Sequence, residues 1–249
     1  GLKMLKSNNN QDSRIQEISE RKTIDLNEDK LLINFISQKK KISLIDVRCL
    51  IKLFKAVFVN ACYFNKFEKK KITALTTKFR DAGRRSAPWQ PASKKVPGRP
   101  QDGKDGNRIN RWLMDKNHKF YATELDATLV EIKYYLQAFS MKNAPTIDHL
   151  NISIKKIFTP WLIEHEVKPG LYKDPLSRQD IDFKKFINDP SEIQSGHLNP
   201  LDREGKHELR NTFLMLKRSN IIQGNLKINE LVNLMEKIVE EHKKNPFSI

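Results

Sequence analysis

The sequence predicts an α+β protein, with a mainly helical stretch over residues 1–189 and a small strand–turn–strand–helix unit over 190–249. Three observations predict it. Apolar residues recur at three- and four-residue spacing through much of the first 141 residues. Prolines and glycines then cut the chain into short pieces. Past Asp189-Pro190, short apolar runs bracketed by turn residues replace the longer helical pattern.

In chain order, residues 13–41 carry Ile15, Ile18, Leu26, Leu31, Leu32, Phe35 and Ile36 as an apolar stripe among charges, the mark of an amphipathic helix. Residues 43–78 read as one or two further helices, with Lys69–Lys71 as a solvated run. Between 83 and 106 stand Gly83, Gly98, Gly103 and Gly106 with Pro88, Pro91, Pro97 and Pro100, which exclude regular structure there. A loop of that length is functional or disordered. Residues 121–141 return to a helix, with Leu125, Leu129, Ile132 and Leu136 on one face and Thr123 as N-cap. Pro145, Pro160, Pro169, Pro175 and Pro190 divide the next stretch, so a boundary is expected near Asp189-Pro190.

Composition narrows the class. A hydrophobic content of 38% suits a water-soluble globular chain. The longest apolar run, Ala56 to Tyr63, is broken by Asn60 and is too short to span a bilayer. No basic leader followed by an apolar stretch opens the chain. Cys49 and Cys62 match neither a zinc pair nor a disulfide framework and read as core thiols, for which a reducing cytoplasm is the expected location.

The net charge of +16 is unevenly placed. Residues 1–78 hold 17 Lys/Arg against 8 Asp/Glu and residues 79–119 hold 11 against 4, while the remainder is balanced. Segregation of this kind points to a polyanion-binding front end, although a Lys-rich solubilising surface would also produce some excess. Arg84, Arg85, Lys94, Lys95, Arg99, Lys104, Arg108 and Arg111, in or beside the Pro/Gly-rich loop at 80–108, are the candidate phosphate contacts. Lys94 to Pro100 resembles an AT-hook, with Pro97 where that motif has Arg.

The chemistry lies in residues 191–225. Glu192 to Leu198 can form a short strand, with Pro200, Asp202 and Gly205 as turn residues. Lys206 to Leu209 are expected to return as a second strand, which would set His197 and His207 opposite each other. Asn211 is expected to cap a helix from Thr212 to Ile222, stopped by Gly224. On one regular helix, Asn220 would lie about 180° around from Asn211, so the two would not face one ion.

The spacing of His197, Pro200, Gly205, Asn211 and Asn220 resembles the HNH, or ββα-metal, endonuclease signature over about 35 residues. The resemblance implies a nuclease that uses one divalent ion, Mg²⁺ or Mn²⁺, and hydrolyses DNA to 5′-phosphate and 3′-hydroxyl ends. It implies His197 as general base, Asn211 as a structural residue of the motif and Asn220 as metal ligand. Imidazole suits the base because its ordinary pKa lies near neutrality. Most members carry Asp just before the base, and here Gly196 stands there. A carboxylate placed at 196 is therefore expected to strengthen metal binding, provided that Gly196 lacks a positive φ.

His207 is a further candidate catalytic residue, either donating to a phosphate or buttressing the hairpin. Lys217 and Arg218 are candidate DNA contacts. Asp148-His149 looks like the start of an HNH motif, but no Pro, Gly and Asn follow at its spacing, so it reads as structural. Ile228, Leu231, Leu234, Met235 and Ile238 give residues 228–243 an amphipathic helix expected to pack on the module. The expected function is sequence-specific cutting of double-stranded DNA, of the type II restriction kind, with two protomers or two successive nicks for a double-strand break. A nonspecific, toxin or homing nuclease is the second reading, and a non-catalytic binding protein on a degenerate HNH scaffold is the third.

Overall fold

The computed structural model describes residues 2–21, 23–86, 108–148 and 165–246. Among the described residues the fold is α+β, with helices α1 (Leu2–Glu20), α2 (Leu26–Asp29), α3 (Leu31–Ser37), α4 (Leu44–Phe64) and α5 (Lys69–Gly83) in the first third. The stripe over 13–41 is therefore three helices, because Asp25 caps α2 by accepting from Asn27 N and so ends the run from α1. Ser43 and Asp46 form a reciprocal capping box that starts α4. Lys66, in the left-handed region at φ 62°, turns the chain into α5.

Strands β1 (Arg85–Ser86) and β2 (Ile109–Asn110) pair antiparallel and close the base of the Pro/Gly-rich segment. Helix α6 (Glu124–Phe139) starts where Thr123 accepts from Asp126 N, as its sequence predicts. Helix α7 (Phe183–Asn188) precedes β3 (Ile193–His197), β4 (Thr212–Leu216), α8 (Lys217–Gln223) and α9 (Ile228–Lys244).

The core gathers around α4. Phe58 meets Phe79, Tyr135, Phe139 and Phe183 edge-on, with ring centroids 5.2–6.0 Å apart. Ile193 of β3 and Leu214 of β4 belong to this same buried cluster, so the hairpin shares the core of the helical body.

The second strand differs from its sequence expectation. Residues 212–216, not Lys206–Leu209, pair with β3, from Ile193↔Leu216 to His197↔Thr212. The helix therefore begins at Lys217 and Asn211 caps nothing. The far edge of β4 is satisfied by side chains: Leu214 N donates to Gln137 Oε1 (2.9 Å) and Leu216 N to Asp174 Oδ1 (2.8 Å), while Tyr172 Oη donates to Leu214 O. Such partners replace a third strand and let a two-stranded sheet persist. In α9 Leu231 is buried, whereas Val232, Met235, Ile238 and Val239 are exposed, so its apolar face is only partly covered. No described helix is long and apolar enough to cross a membrane.

Candidate functional site

His197 ends β3. Side chains alternate along a strand, so His197 shares a face with Ser195, whose hydroxyl hydrogen-bonds Tyr134 of α6. Gln194 and Gly196 face the other way, and Gln194 Oε1 accepts from Asn220 Nδ2 of α8 at 2.7 Å. That bond fixes the carboxamide of Asn220 with its nitrogen toward β3. No described contact joins the His197 ring to Asn220. Gln223 is the link, one turn beyond Asn220, and its Nε2 donates to His197 O at 2.7 Å.

The His197 ring instead meets His207, with Nε2 3.2 Å from His207 Nδ1. His207 is buried, and its Nε2 donates to Gly83 O at the end of α5 (2.7 Å). The two imidazoles meet as expected, but from a strand and a loop rather than across paired strands. Burial, and after it the charge of Arg111, pushes the His197 pKa down to about 3. Burial likewise drives His207 well below the ordinary histidine value.

Asn211 folds the loop that carries His207. Its Oδ1 accepts from Asn199 N (2.7 Å), and its Nδ2 donates to Asn199 O (2.9 Å) and Lys206 O (2.8 Å). Gly205 is required in this loop, because a Cβ there would overlap Asn199 O. Gly196 has no positive φ, but a Cβ there would overlap Met215 Sδ, so the expected carboxylate requires the Met215 side chain to move. Three buried oxygens near His197 lack a hydrogen-bond partner: Thr212 Oγ1, Gln223 Oε1 and Asn199 Oδ1. Among the described residues no group of three or more His, Cys, Asp or Glu could hold a metal ion. The three unpartnered oxygens are neutral, hard donors.

The basic residues divide. Arg111 is 6% exposed and donates to Gly83 O (3.1 Å), Phe120 O (3.1 Å) and Ala82 O (3.3 Å), which makes it a buried clamp on the end of α5 and not a free phosphate contact. Arg84 pairs with the buried Glu131. Arg85 donates to Arg108 O, and Arg108 to Asp81 O (3.4 Å). Arg218 is exposed and Lys217 half-buried. Lys94, Lys95, Arg99 and Lys104 lie outside the described residues, as does His149.

Sequence reasoning missed the residues that seat the hairpin. Asp174 is fully buried, and besides Leu216 N it accepts from Ser177 and from Ser219 Oγ (2.7 Å), which fixes the start of α8. Tyr134 and Gln137 reach the hairpin from α6, and Gly83 supplies the carbonyl on which His207 rests. Gln137 lies off the face that Leu125, Leu129, Ile132 and Leu136 define. It is buried because α6 is covered on nearly every side, so no local signal in the sequence marks it.

No family model and no curated protein matches the chain. Among solved structures, a crystal structure of a type II restriction endonuclease is similar to it at TM-score 0.42 and 16% identity, over 55% of this chain. The match covers 62% of the length of that structure.

Proposed function

We propose that this chain is a metal-dependent DNA endonuclease of the HNH type, which hydrolyses phosphodiester bonds in double-stranded DNA and cuts at specific sites as type II restriction enzymes do. The observation that carries the reading is the hairpin–helix unit itself. It sets His197 at the end of β3, Asn211 as the pin of the intervening loop and Asn220 on the following helix.

His197 is the general base. It takes a proton from water as the water oxygen bonds to phosphorus, the P–O3′ bond breaks and the 3′ oxygen is protonated from solvent. At a pKa of about 3 the ring is neutral but a weak acceptor in the free protein. An anionic phosphate beside it offsets the Arg111 charge and raises its basicity in the complex. Asn220 Oδ1 would hold Mg²⁺ or Mn²⁺, and the ion would supply positive charge against the transition state. With a neutral donor, such an ion would bind weakly in the absence of DNA phosphate. The exposed cations of residues 1–119, together with Arg218, grip the backbone.

Plasmid incubated with the protein and Mg²⁺ or Mn²⁺ tests this. Discrete fragments support site-specific cutting, and smearing supports a nonspecific nuclease. His197→Ala is expected to lose at least about a hundredfold in rate, the scale of a lost general base, while keeping DNA affinity; cutting at the wild-type rate removes the assignment. The depressed pKa of His197 and the absence of a carboxylate at the crowded position 196 favour one other reading, a DNA-binding protein on a silent HNH scaffold, which predicts no cleavage in any metal.

A further inference from the structure

Resting on the nuclease reading for its purpose but not for its geometry, we propose that His207 is a positioning residue that fixes the proton of His197 on Nε2 and leaves Nδ1 as the basic atom. One chain of hydrogen bonds sets both tautomers. A carbonyl oxygen only accepts, so the 2.7 Å contact to Gly83 O places a proton on His207 Nε2. A neutral His207 then has a bare Nδ1, which must accept, and the 3.2 Å contact requires His197 Nε2 to donate. A neutral His197 therefore keeps its Nδ1 lone pair, and no described hydrogen bond reaches that atom. Both rings are held neutral by burial beside the Arg111 cation.

The anchor of the chain is rigid. Gly83 O also accepts from Arg111 Nε, which fixes its direction. Gly83 packs so closely on α6 that a Cβ would stand 2.8 Å from Glu131 Cβ, which fixes its position. His207 is 1% exposed, and its loop is tied by Asn211 to Lys206 O and by Lys133 Nζ to Leu209 O (2.5 Å). The candidate base is thus oriented by the helical body through one buried imidazole. Orienting partners of this kind are worth about 10–100-fold in function.

The test reads the tautomer directly. In metal-free, ¹⁵N-histidine-labelled wild-type protein at neutral pH, long-range ¹H–¹⁵N NMR should show His197 protonated on Nε2 and bare on Nδ1, with the signals assigned by their loss in His197→Ala. His207→Gln offers a donor and an acceptor at similar separation and should keep this tautomer. His207→Leu should move His197 to a mixture or to the Nδ1-protonated form. In cleavage assays His207→Gln should stay within about threefold of wild type. His207→Leu should fall about 10–100-fold in kcat, with KM for DNA and the half-saturating metal concentration unchanged. An Nδ1-protonated or charged His197 in wild type overturns the proposal, as does a wild-type tautomer in folded His207→Leu. The wild-type spectrum alone decides if that variant does not fold. Expected tautomers in a protein that cuts no DNA would sink the nuclease reading and leave the positioning role standing.

Discussion

Arg111 separates two kinds of basic residue in this chain. As a phosphate contact, its loss would weaken DNA binding and lower the salt slope by about 1. The structure gives it a different role, since a guanidinium with 6% exposure donates to Ala82 O, Gly83 O and Phe120 O. Burial pushes its pKa down to about 10, so it stays charged at neutral pH. In Arg111→Met, Gly83 O retains His207, but the carbonyls of Ala82 and Phe120 lose these partners. Each unsatisfied carbonyl costs about 1–3 kcal/mol, and the desolvation penalty of the guanidinium disappears, which returns part of that. A net loss of about 3 kcal/mol follows, or a Tm lower by about 6–12 °C for a chain of this size. Thermal and denaturant unfolding would measure it, with filter binding of DNA across a salt series. Exposed Arg218→Gln is the mirror control, with unchanged melting and a shallower salt slope. An Arg111→Met protein that melts like wild type while its slope falls would refute the reasoning.

Gly196→Asp, which the HNH pattern invites, should destabilise by about 1–3 kcal/mol as an overpacked site, since its Cβ meets Met215 Sδ. Metal titration of cleavage should show no gain in that variant. Stability should also fall with acid. His197 is held at about 3 in the fold and returns to about 6.5 when unfolded, so the unfolded chain binds more protons between those values. The contribution of this residue is therefore lost as pH falls, by about 2 kcal/mol at pH 5, with His207 acting in the same direction. Urea midpoints at pH 7.5 and 5 would measure it, and a midpoint that does not fall with acid would count against two neutral imidazoles in the fold.

The legible parts of the sequence are those whose partners lie nearby. Thr123 and Asp126, His197 at a strand end and Gly224 at a helix end each depend on neighbours within a few residues. The segment Thr212–Leu216 is illegible because its apolar residues fit a helix as well as a strand. The deciding partners, Gln137, Tyr172 and Asp174, are distant in sequence. With the strand misplaced, Asn211 reads as a helix cap when it is the pin of a loop. Asn211 and Asn220 then share no helix, so a placement on opposite sides of one has no basis. Charge misleads similarly: Arg84 and Arg111 count toward the basic front end, yet inside the fold they are engaged by Glu131 and by backbone carbonyls.

Those same partners bear on whether residues 190–249 form a unit that could stand alone. Composition suggests a basic grip and a neutral cutting module. The hairpin, however, takes Leu214 and Ile193 into the cluster built around α4 and α6. Its β4 edge is closed by Gln137, Tyr172 and Asp174, its loop by Lys133, and His207 by Gly83. Cut at 186, the fragment would expose Leu214 and lose those hydrogen bonds, leaving one two-stranded hairpin and two helices, below what a small core sustains. The expectation is that fragment 186–249 shows an unfolded NMR spectrum and no protection from hydrogen exchange at Leu214 N. Mixing it with 1–185 should restore protection if the longer piece keeps its helices. A folded 186–249 fragment with dispersed amide signals would mean that the shared core is a contact between independent units, and the division into grip and module would stand.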